Sequence, residues 1–218
     1  MSDKVLEVQE IKGRVFVATD SRYVDPFTMT LNHGETFGVF DRPGDIVNLG
    51  KKLQGIFFEG SRHLSLLNFQ LNNKRPLLLS STIREDNDTL NVDLANEEFN
   101  LGEQIVPGGT IHIKKNKSER NEAYNEILKF QNFNAFKVDL TCEVNLGADF
   151  KDVFELRGFY CPTGAGEVCI EKGEKELVFK SIGRDGTERI SRAIVDDDRA
   201  TFLNDSIVFD ISVPPGGE

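Results

Sequence analysis

The chain has 218 residues, of which 39% are hydrophobic and 28% charged, a balance that indicates a soluble globular protein able to bury a core without disulfide bonds. The formal net charge of −10 argues against nucleic acid or an anionic membrane as a partner. The N-terminal residues carry acids and lysines, and no apolar run approaches the length of a membrane span. We therefore expect a cytoplasmic protein.

The sequence predicts β-hairpins at four places along the chain. At each of them, two apolar runs flank residues that favour a tight turn. In chain order they are "EIKGRVFV" around Lys12-Gly13, "TLNHGETFGVFD" around His33-Gly34, "NFQLNNKRPLLL" around Asn72-Asn73 and "SIGRDGTERI" around Asp185-Gly186.

Alternation of apolar and polar residues dominates the middle of the chain. The runs "TLNVDL", "TIHIKK" and "AYNEILKF" each place apolar side chains on one face, with Glu126 as a polar exception in the third run. The longest run, "FKVDLTCEVNL", alternates from Phe136 to Leu146. Such a pattern predicts strands with one face on a core and one in solvent.

No segment keeps helical spacing for three turns. Frequent strands and scarce helices favour an all-β protein, a large antiparallel β-sandwich with few or only short helices. We expect residues 1–218 to form a single domain of this kind.

The cysteines and histidines offer little for metal or redox chemistry. Cys161 and Cys169 flank a Gly-rich segment and could form a disulfide bond, but a chain without a secretion signal favours reduced thiols. With Cys142 the number of cysteines is three, which is odd. The three histidines lie far apart in the sequence. We predict no metal site and no cofactor.

The segment "GADFKDVFELRG", residues 147–158, places three carboxylates at three-residue steps. Asp149 is positioned as the N-cap of a short helical turn, which would direct Phe150 and Phe154 into the core. Asp152 and Glu155 would then lie near Arg157 and form a carboxylate–guanidinium pair.

A catalytic role for these acids would need two carboxylates facing each other across a cleft, and one short segment cannot easily provide that arrangement. The sequence therefore favours a capped structural turn, with acids that line a surface touched by another domain or by a sugar.

Several stretches, in order, resemble the N-terminal domain of bacterial and archaeal glycogen-debranching proteins of the amylo-α-1,6-glucosidase type. "GADFKDVFELRG" resembles the Asp-Phe-x-Asp-x-Phe-Glu-Val-Arg-Gly stretch of that family. "GIFFEGSRHLS" is similar to its Gly-Leu-Phe-x-x-Asp-Thr-Arg-x-Leu-Ser stretch, "VFDRPGDI" to its Gly-Asp loop, and "GRDGTERIS" to a later hairpin. The resemblance runs from about Thr36 to Ile211.

The resemblance departs from the family at one motif. Gly60-Ser61-Arg62 stands where the family has Asp-Thr-Arg, and Glu59 comes just before it. The arginine of the motif is present as Arg62, but glycine stands at the position of the aspartate. A role of that aspartate in orienting the arginine would pass to Glu59 or be lost.

The resemblance implies a supersandwich-like domain that packs against a following catalytic (α/α)6 barrel. The barrel would supply the glycosidase acid and base, so we assign no catalytic residue to this chain. Candidates for the face that meets the barrel or the α-glucan substrate are the charged residues of the two main motifs. They are Arg62, Asp149, Asp152, Glu155 and Arg157.

An alternative is a stand-alone carbohydrate-binding or protein-interaction sandwich module. Sugar-binding surfaces favour exposed Trp and Tyr, because a flat ring offers contact area at low entropic cost. The chain has no Trp and only three Tyr, which weakens the carbohydrate-binding alternative.

Overall fold

The computed structural model is almost entirely β-structure, with 59% of the described residues in strands, as predicted. It describes residues 8–11, 14–17, 27–47, 53–120, 123–159 and 164–218, and only the backbone of 8–11, 14–17 and Arg120. The strands are β1 Val8–Ile11, β2 Arg14–Val17, β3 Met29–His33, β4 Thr36–Phe40, β5 Gly55–Phe58, β6 Ser61–Leu64, β7 Leu66–Leu71, β8 Leu77–Ile83, β9 Thr89–Ala95, β10 Phe99–Leu101, β11 Gln104–Val106, β12 Ile111–Arg120, β13 Ala123–Asn132, β14 Val138–Gly147, β15 Val168–Lys172, β16 Glu176–Ile182, β17 Glu188–Ile194, β18 Ala200–Phe202 and β19 Ser206–Val213. The one helix among these residues, α1, spans Val153–Leu156.

The pairing of the described strands is antiparallel throughout. Three sheets have four strands each, in the orders β3-β4-β5-β6, β8-β9-β12-β13 and β7-β14-β19-β18. A three-stranded sheet has the order β15-β16-β17, and β1-β2 and β10-β11 are two-stranded. The prediction of an antiparallel all-β sandwich is confirmed, while a single domain over 1–218 stays a prediction.

Strand β14 shows why the alternating pattern gives buried layers. Its apolar side chains Val138, Leu140 and Cys142 are buried, while Asp139 and Thr141 between them are exposed. β14 pairs with β7 on one side and with β19 on the other, so its apolar face lies in the middle of a sheet. In another sheet the paired strands β9 and β12 bury their apolar side chains in the same way: Leu90, Val92, Leu94, Ile111 and Ile113.

Aromatic contacts mark where the sheets pack on one another. The rings of Phe69 on β7 and Phe130 on β13 have centroids 6.5 Å apart. Phe40 on β4 stacks on Tyr124 of β13 at 5.5 Å. The face of β13 predicted to be apolar therefore contacts two other sheets.

Three of the four predicted hairpins are confirmed. β1 pairs with β2, β3 with β4, and β16 with β17. The turn residues Lys12 and Gly13 lie outside the described residues. In the second hairpin His33 is the last paired residue, and the turn lies at Gly34 and Glu35.

Of the hairpin predicted at Asn72-Asn73 only the tight turn forms: Leu71 and Lys74 exchange both backbone hydrogen bonds across it, at 2.7 and 3.1 Å, and the strands that flank it pair elsewhere. Both asparagines adopt positive φ, as a tight turn requires, but β7 pairs with β14 and β8 pairs with β9. Asn72 explains the difference, because its N–H donates to the carbonyl of Thr141 and its side-chain oxygen accepts from the Thr141 N–H. The turn is thereby anchored to β14, and the chain leaves it for a different sheet.

Cys142 and Cys169 are free cysteines, and Cys161 lies outside the described residues. Burial raises the pKa of Cys142 to about 12, whereas Cys169 is exposed. In the part of the chain that the structure describes, no helix has the length and apolar character needed to cross a membrane.

Candidate functional site

The segment 147–158 and the β5–β6 hairpin, two regions that the sequence singles out, lie against each other. The N–H of Arg62 donates to the carbonyl of Lys151 at 2.8 Å, and the N–H of Val153 donates to the carbonyl of Gly60 at 2.9 Å. Ser61 and Asp152 form an antiparallel bridge between these bonds. We call this pair of elements the hairpin unit.

A buried ion pair joins the two halves of the hairpin unit. The Arg62 Nε–H donates to Asp149 Oδ1 at 3.0 Å, and Nη2 donates to Asp149 Oδ2. Nη1 donates to the carbonyl of Gln54 at 3.1 Å. Arg62 is 5% exposed and the Asp149 side chain 23% exposed, so solvent reaches this bidentate pair only from the aspartate side.

Gly55 leaves room for the arginine. A Cβ atom at Gly55 would lie 2.5 Å from Arg62 Cδ, so any larger residue would push the guanidinium away from Asp149. The close approach therefore requires glycine at this position.

The Gly60-Ser61-Arg62 stretch lacks the aspartate of the family motif, and a residue distant in the sequence supplies a carboxylate to Arg62 in its place. Glu59 is exposed in a left-handed turn with φ 47° and does not bond to Arg62. Asp149 orients the guanidinium instead. Two residues that the sequence assigned to separate motifs thus form one contact.

The N-cap of α1 is Asp152, and the prediction of Asp149 at this position is wrong. Asp152 Oδ1 accepts the N–H of Phe154 at 2.7 Å. The carboxylate of Asp149 is bonded to Arg62, and Phe150 adopts a left-handed φ of 49°, which turns the chain before the helix begins. The cap therefore falls three residues later than expected.

Only one of the two phenylalanines expected in the core is buried. Phe150 is 1% exposed and meets the edge of His63, whose ring meets Phe58 in turn, with centroid distances of 5.3 and 5.9 Å. Phe154 is 57% exposed, and Phe159, whose N–H donates to the Phe154 carbonyl, is 63% exposed. The hairpin unit thus presents two aromatic rings to solvent.

His63 connects the hairpin unit to β17. Its Nδ1 lies 3.1 Å from Ser191 Oγ, which donates to the His63 carbonyl at 2.8 Å. Burial lowers the pKa of His63, so the ring is neutral near pH 7 and packs as an aromatic group. This geometry gives it a structural role.

Glu155 and Arg157 lie at α1 without forming the predicted ion pair. One carboxylate oxygen of Glu155 is buried and accepts no hydrogen bond from the described residues. Arg157 is exposed, and no carboxylate of the described residues lies within ion-pair distance of it. The ion pair of this region is that of Arg62 and Asp149.

A second cluster of buried charges joins the loop after β4 to β12 and β13. Arg75 Nη2 donates to Asp41 Oδ2 at 2.7 Å and to Asp45 Oδ2 at 2.9 Å. Lys115 Nζ donates to Asp45 Oδ1 at 2.5 Å. Lys117 Nζ donates to Tyr124 and Glu126, both at 2.6 Å. We call these residues the ion cluster, and its three acids balance its three bases.

The ion cluster keeps its charges despite complete burial of Asp45 and Lys115. Burial opposes ionisation of Asp45, but the charges of Lys115 and Arg75 outweigh it and lower its pKa. Burial lowers the pKa of Lys117 to about 8, against the attraction of Glu126. The cluster therefore ties the loop to β12 by paired charges.

The ion cluster was not predicted from the sequence, although the sequence contains a signal for it. Lys115 and Lys117 continue the inward positions of Ile111 and Ile113 along β12, so the alternation places both lysines in the core. Their main partner, Asp45, lies in "VFDRPGDI", which the sequence related to a family loop. Inward lysines predict buried acids opposite them.

Glu119 is buried at the next inward position of β12. Its side chain sits over Gly38, where a Cβ atom would lie 2.8 Å from Oε1. Neither carboxylate oxygen accepts a hydrogen bond from the described residues. Burial raises the pKa of Glu119 to about 7.

A cleft of about 1230 Å³ begins beside the hairpin unit, where His63 is one of its lining residues. Residues 123–130 of β13 and residues 190–194 of β17 also line it. Apolar residues of β14 and β19, including Cys142 and Phe209, form a further part of its surface, and the charged residues Asp197 and Arg199 of the loop after β17 also line it. The cleft therefore opens between an edge of one sheet and an edge of another.

Three acids of the motifs are committed to structure. Asp149 bonds to Arg62, Asp152 caps α1, and Asp45 lies in the ion cluster. Within the described residues, no group of three or more His, Cys, Asp and Glu side chains is arranged to hold a metal ion.

The fold defines the chain as an antiparallel β-sandwich domain whose sequence motifs form buried ion pairs. A model of the family described as the N-terminal domain of (some) glycogen debranching enzymes matches residues 31–218. The chain belongs to this family, which confirms the resemblance seen in the sequence. A search of curated proteins found no match.

Proposed function

We propose that the chain is the non-catalytic N-terminal domain of an amylo-α-1,6-glucosidase, a glycogen-debranching glycoside hydrolase. In this proposal the domain packs against a catalytic (α/α)6 barrel and shapes the entrance for the α-glucan. The observation that carries the proposal is the pair of exposed rings, Phe154 and Phe159, on a hairpin unit fixed by a buried ion pair.

The rigidity of the hairpin unit supports a docking role. Exposed aromatic rings are costly in water and are enriched in the centres of protein interfaces. Phe154 and Phe159 are joined by a backbone hydrogen bond, and the segment that carries them is bonded to the β5–β6 hairpin. A partner would thus meet a surface that needs little ordering on binding.

The committed acids support a non-catalytic role. A glycosidase needs two carboxylates about 5–10 Å apart on either side of the scissile bond. Asp149 and Asp152 are neighbours in one segment, and both are engaged in structural bonds. We assign the acid and base to the barrel, and Asp152, Glu155 and Arg157 to the face that meets it, while the pair of Arg62 and Asp149 holds that face in place.

The free cysteines of the chain support a cytoplasmic location. Cys142 and Cys169 are both free, and Cys169 is exposed, as is common in a reducing compartment.

The exposed rings also favour a second candidate, a stand-alone module that binds carbohydrate through Phe154 and Phe159 or uses them to bind another protein. Aromatic faces stack on sugar rings and pack in protein interfaces alike. This candidate differs from the first in needing no barrel.

Calorimetric titration separates the two candidates. One titration uses the catalytic barrel of a debranching enzyme that carries this family's domain, expressed without its own N-terminal domain. We expect binding that the double variant Phe154→Ser/Phe159→Ser loses. The matched control is Phe133→Ser, which changes a phenylalanine 65% exposed elsewhere on the surface and should bind normally.

A second titration uses maltooligosaccharides, for which we expect no or weak binding. Micromolar binding to maltooligosaccharide together with no binding to the barrel would overturn the accessory role. Release of glucose from a branched limit dextrin by the chain alone would overturn the non-catalytic role.

A further inference from the structure

The cleft is bordered by two sheet edges that have no strand beside them. Among the described strands, β13 pairs only with β12 and β17 pairs only with β16. Residues 123–130 of β13 and residues 190–194 of β17 both line the cleft. Natural sheets usually cover or pair such edges, because unpaired backbone N–H and C=O groups can accept another strand.

Two hydrogen bonds show which backbone groups of β13 point into the cleft. The N–H of Phe133 donates to the carbonyl of Thr110 at 2.9 Å, on the side of β12, and the N–H of Asn132 donates to the carbonyl of Gly217 at 3.0 Å, on the other side. This direction alternates along a strand. The residues that point their N–H and C=O groups away from β12, with no other described residue bonded to them, are therefore Tyr124, Glu126, Leu128 and Phe130.

The same alternation assigns the backbone groups of β17. The N–H of Val195 donates to the carbonyl of Lys175 at 3.1 Å, on the side of β16. Arg192 and Ile194 therefore point their N–H and C=O groups away from β16, and no described residue bonds to them there. Two rows of unpaired backbone groups thus border one space.

The two edges run in the same direction. β13 begins against β4, through Tyr124, and ends against β19, through the side chain of Asn132. β17 lies against β6 at Ser191 and leads into β18, which pairs with β19. A strand placed between the two edges would be antiparallel to both or parallel to both.

The C-terminal residues enter one end of the cleft and show which direction fits. The carbonyl of Gly217 accepts the N–H of Asn132, and Oε1 of Glu218 lies 3.5 Å from Nζ of Lys129. The tail therefore runs back along β13, from its end towards its start. An added strand in this direction is antiparallel to β13 and to β17.

The cleft has the volume of one strand. An eight-residue strand fills roughly 1,300 Å³, from a rise of about 3.3 Å per residue, about 4.8 Å between strands and about 10 Å between packed sheets. The cleft measures about 1230 Å³, and the part of β13 that lines it has eight residues. Pockets for small molecules are mostly about 300–1,000 Å³.

The side chains of the cleft favour an apolar, uncharged occupant. The three lysine and arginine side chains that line it are already paired, Lys129 with Glu218, Arg192 with Glu176 and Arg199 with Asp197. Five of the apolar side chains that line it are only half-buried, so an occupant would remove them from water. They are Leu64, Leu128, Phe130, Val144 and Phe209.

We propose that the cleft receives one extended peptide of a partner protein, about eight residues long, antiparallel to β13 and β17. The peptide is uncharged and carries apolar side chains at alternate positions, which cover the half-buried residues. Its backbone bonds to both edges, so that the four-stranded and three-stranded sheets become one sheet of eight strands. Phe154 and Phe159 do not line the cleft, so this site does not depend on the function proposed above.

A synthetic peptide tests the proposal with the whole chain. The probe is an acetylated, amidated peptide of four Thr-Val repeats with a fluorescent label, and anisotropy should show saturable one-to-one binding. The same peptide methylated at every second amide nitrogen should bind at least about tenfold more weakly, because it loses its donors to one edge. A peptide with glutamate in place of threonine should also bind more weakly.

A matched pair of variants at one residue of β17 tests the backbone contact. The N–H of Ile194 points away from β16, so Ile194→Pro removes a donor to the peptide without removing a bond to β16. We expect about fivefold weaker binding of the Thr-Val peptide. Ile194→Ala keeps the N–H and should bind normally. Circular dichroism verifies that both variants are folded.

Amide hydrogen exchange gives a readout that does not depend on a variant. The N–H groups of Glu126, Leu128 and Ile194 should exchange fast in the chain alone and slowly in the presence of the peptide. Those of Ile127 and Ala193, which point towards β12 and β16, should be protected in both states.

Four results would overturn the proposal. They are no saturable binding up to about 1 mM peptide, equal binding of the methylated peptide, tighter binding of the glutamate peptide, and protection of the Glu126, Leu128 and Ile194 amides in the chain alone. Protection that is independent of concentration would assign the cleft to a segment of the same chain. Protection that grows with concentration would assign it to a second copy.

Discussion

Asp149 holds the guanidinium of Arg62 through two hydrogen bonds, although the two residues lie 87 positions apart in the sequence. The pair joins the β5–β6 hairpin to the segment that follows β14. It therefore fixes the surface on which Phe154 and Phe159 are displayed.

Loss of Asp149 should strongly destabilise the fold. Asp149→Ala leaves the Arg62 charge buried without its carboxylate, which typically costs about 3 kcal/mol in unfolding free energy. Urea denaturation followed by circular dichroism measures this change. The control is Asp198→Ala, whose side chain is 90% exposed and which should show no measurable change. Equal urea midpoints for the two variants would contradict the importance of the pair.

Replacement of the whole pair should cost less than loss of one partner. The double variant Arg62→Met/Asp149→Leu removes both charges together, so no buried charge is left unpaired. We expect its urea midpoint to lie between those of Asp149→Ala and the unchanged chain. A double variant less stable than Asp149→Ala would show that packing, and not charge, decides the stability here.

The N-cap of α1 should contribute less to the free energy of unfolding than the pair of Arg62 and Asp149. Asp152→Ala removes the acceptor for the Phe154 N–H and should cost about 1 kcal/mol, whereas Asp152→Ser keeps an acceptor and should cost only part of that. Thermal melts of the two variants and of Lys151→Ala, an exposed neighbour, measure the difference. A larger loss for Ser than for Ala would rule out the capping role.

Within the ion cluster, Asp45 should be the most sensitive residue. Asp45→Asn removes the charge shared by Arg75 and Lys115, and we expect a loss of about 3–5 kcal/mol. Asp86→Asn, at an exposed turn, should stay within about 0.5 kcal/mol. Chemical denaturation of both variants at neutral pH gives the comparison. A small effect at Asp45 would mean that the lysine and the arginine find other partners.

Glu119 should make the stability fall as the pH rises. Its folded pKa of about 7 lies above its ordinary value of 4.5, so the folded state prefers the protonated acid. The stability it contributes is fully present below pH 4.5 and is lost as the pH rises through 7, by at most about 3 kcal/mol. Glu119→Gln should therefore stabilise the chain at pH 8 relative to pH 5.

Urea midpoints at pH 5 and pH 8 test the role of Glu119, with the exposed Glu98→Gln as the control. An identical pH dependence in the two variants would exclude Glu119 as the titrating group.

Strand positions could be predicted from the sequence because burial of one face imposes a period of two on the residues. The alternation along β9, β12 and β14 gave the buried residues correctly. Turn chemistry was less informative, because Asn72 and Asn73 specify a tight turn but not the strand that pairs next. That choice depends on Thr141, far away in the sequence, which bonds to Asn72.

The charged contacts were harder to predict. Composition within 147–158 suggested a local pair between Arg157 and its neighbouring acids, but Asp149 bonds to Arg62 and Asp152 caps the helix. Long-range ion pairs leave no periodic trace in a sequence. The inward Lys115 and Lys117 were the available signal for the ion cluster, and their alternation was interpreted only as far as Ile113.

The place of β14 between β7 and β19 has a consequence for synthesis on the ribosome. β7 is made well before β14, but the strand on its other side, Ser206–Val213, emerges some sixty residues after it. Until then the nascent polypeptide exposes one unpaired flank of its central strand. Chaperone contact is therefore expected to concentrate on nascent chains that have passed residue 147 and not yet reached residue 206.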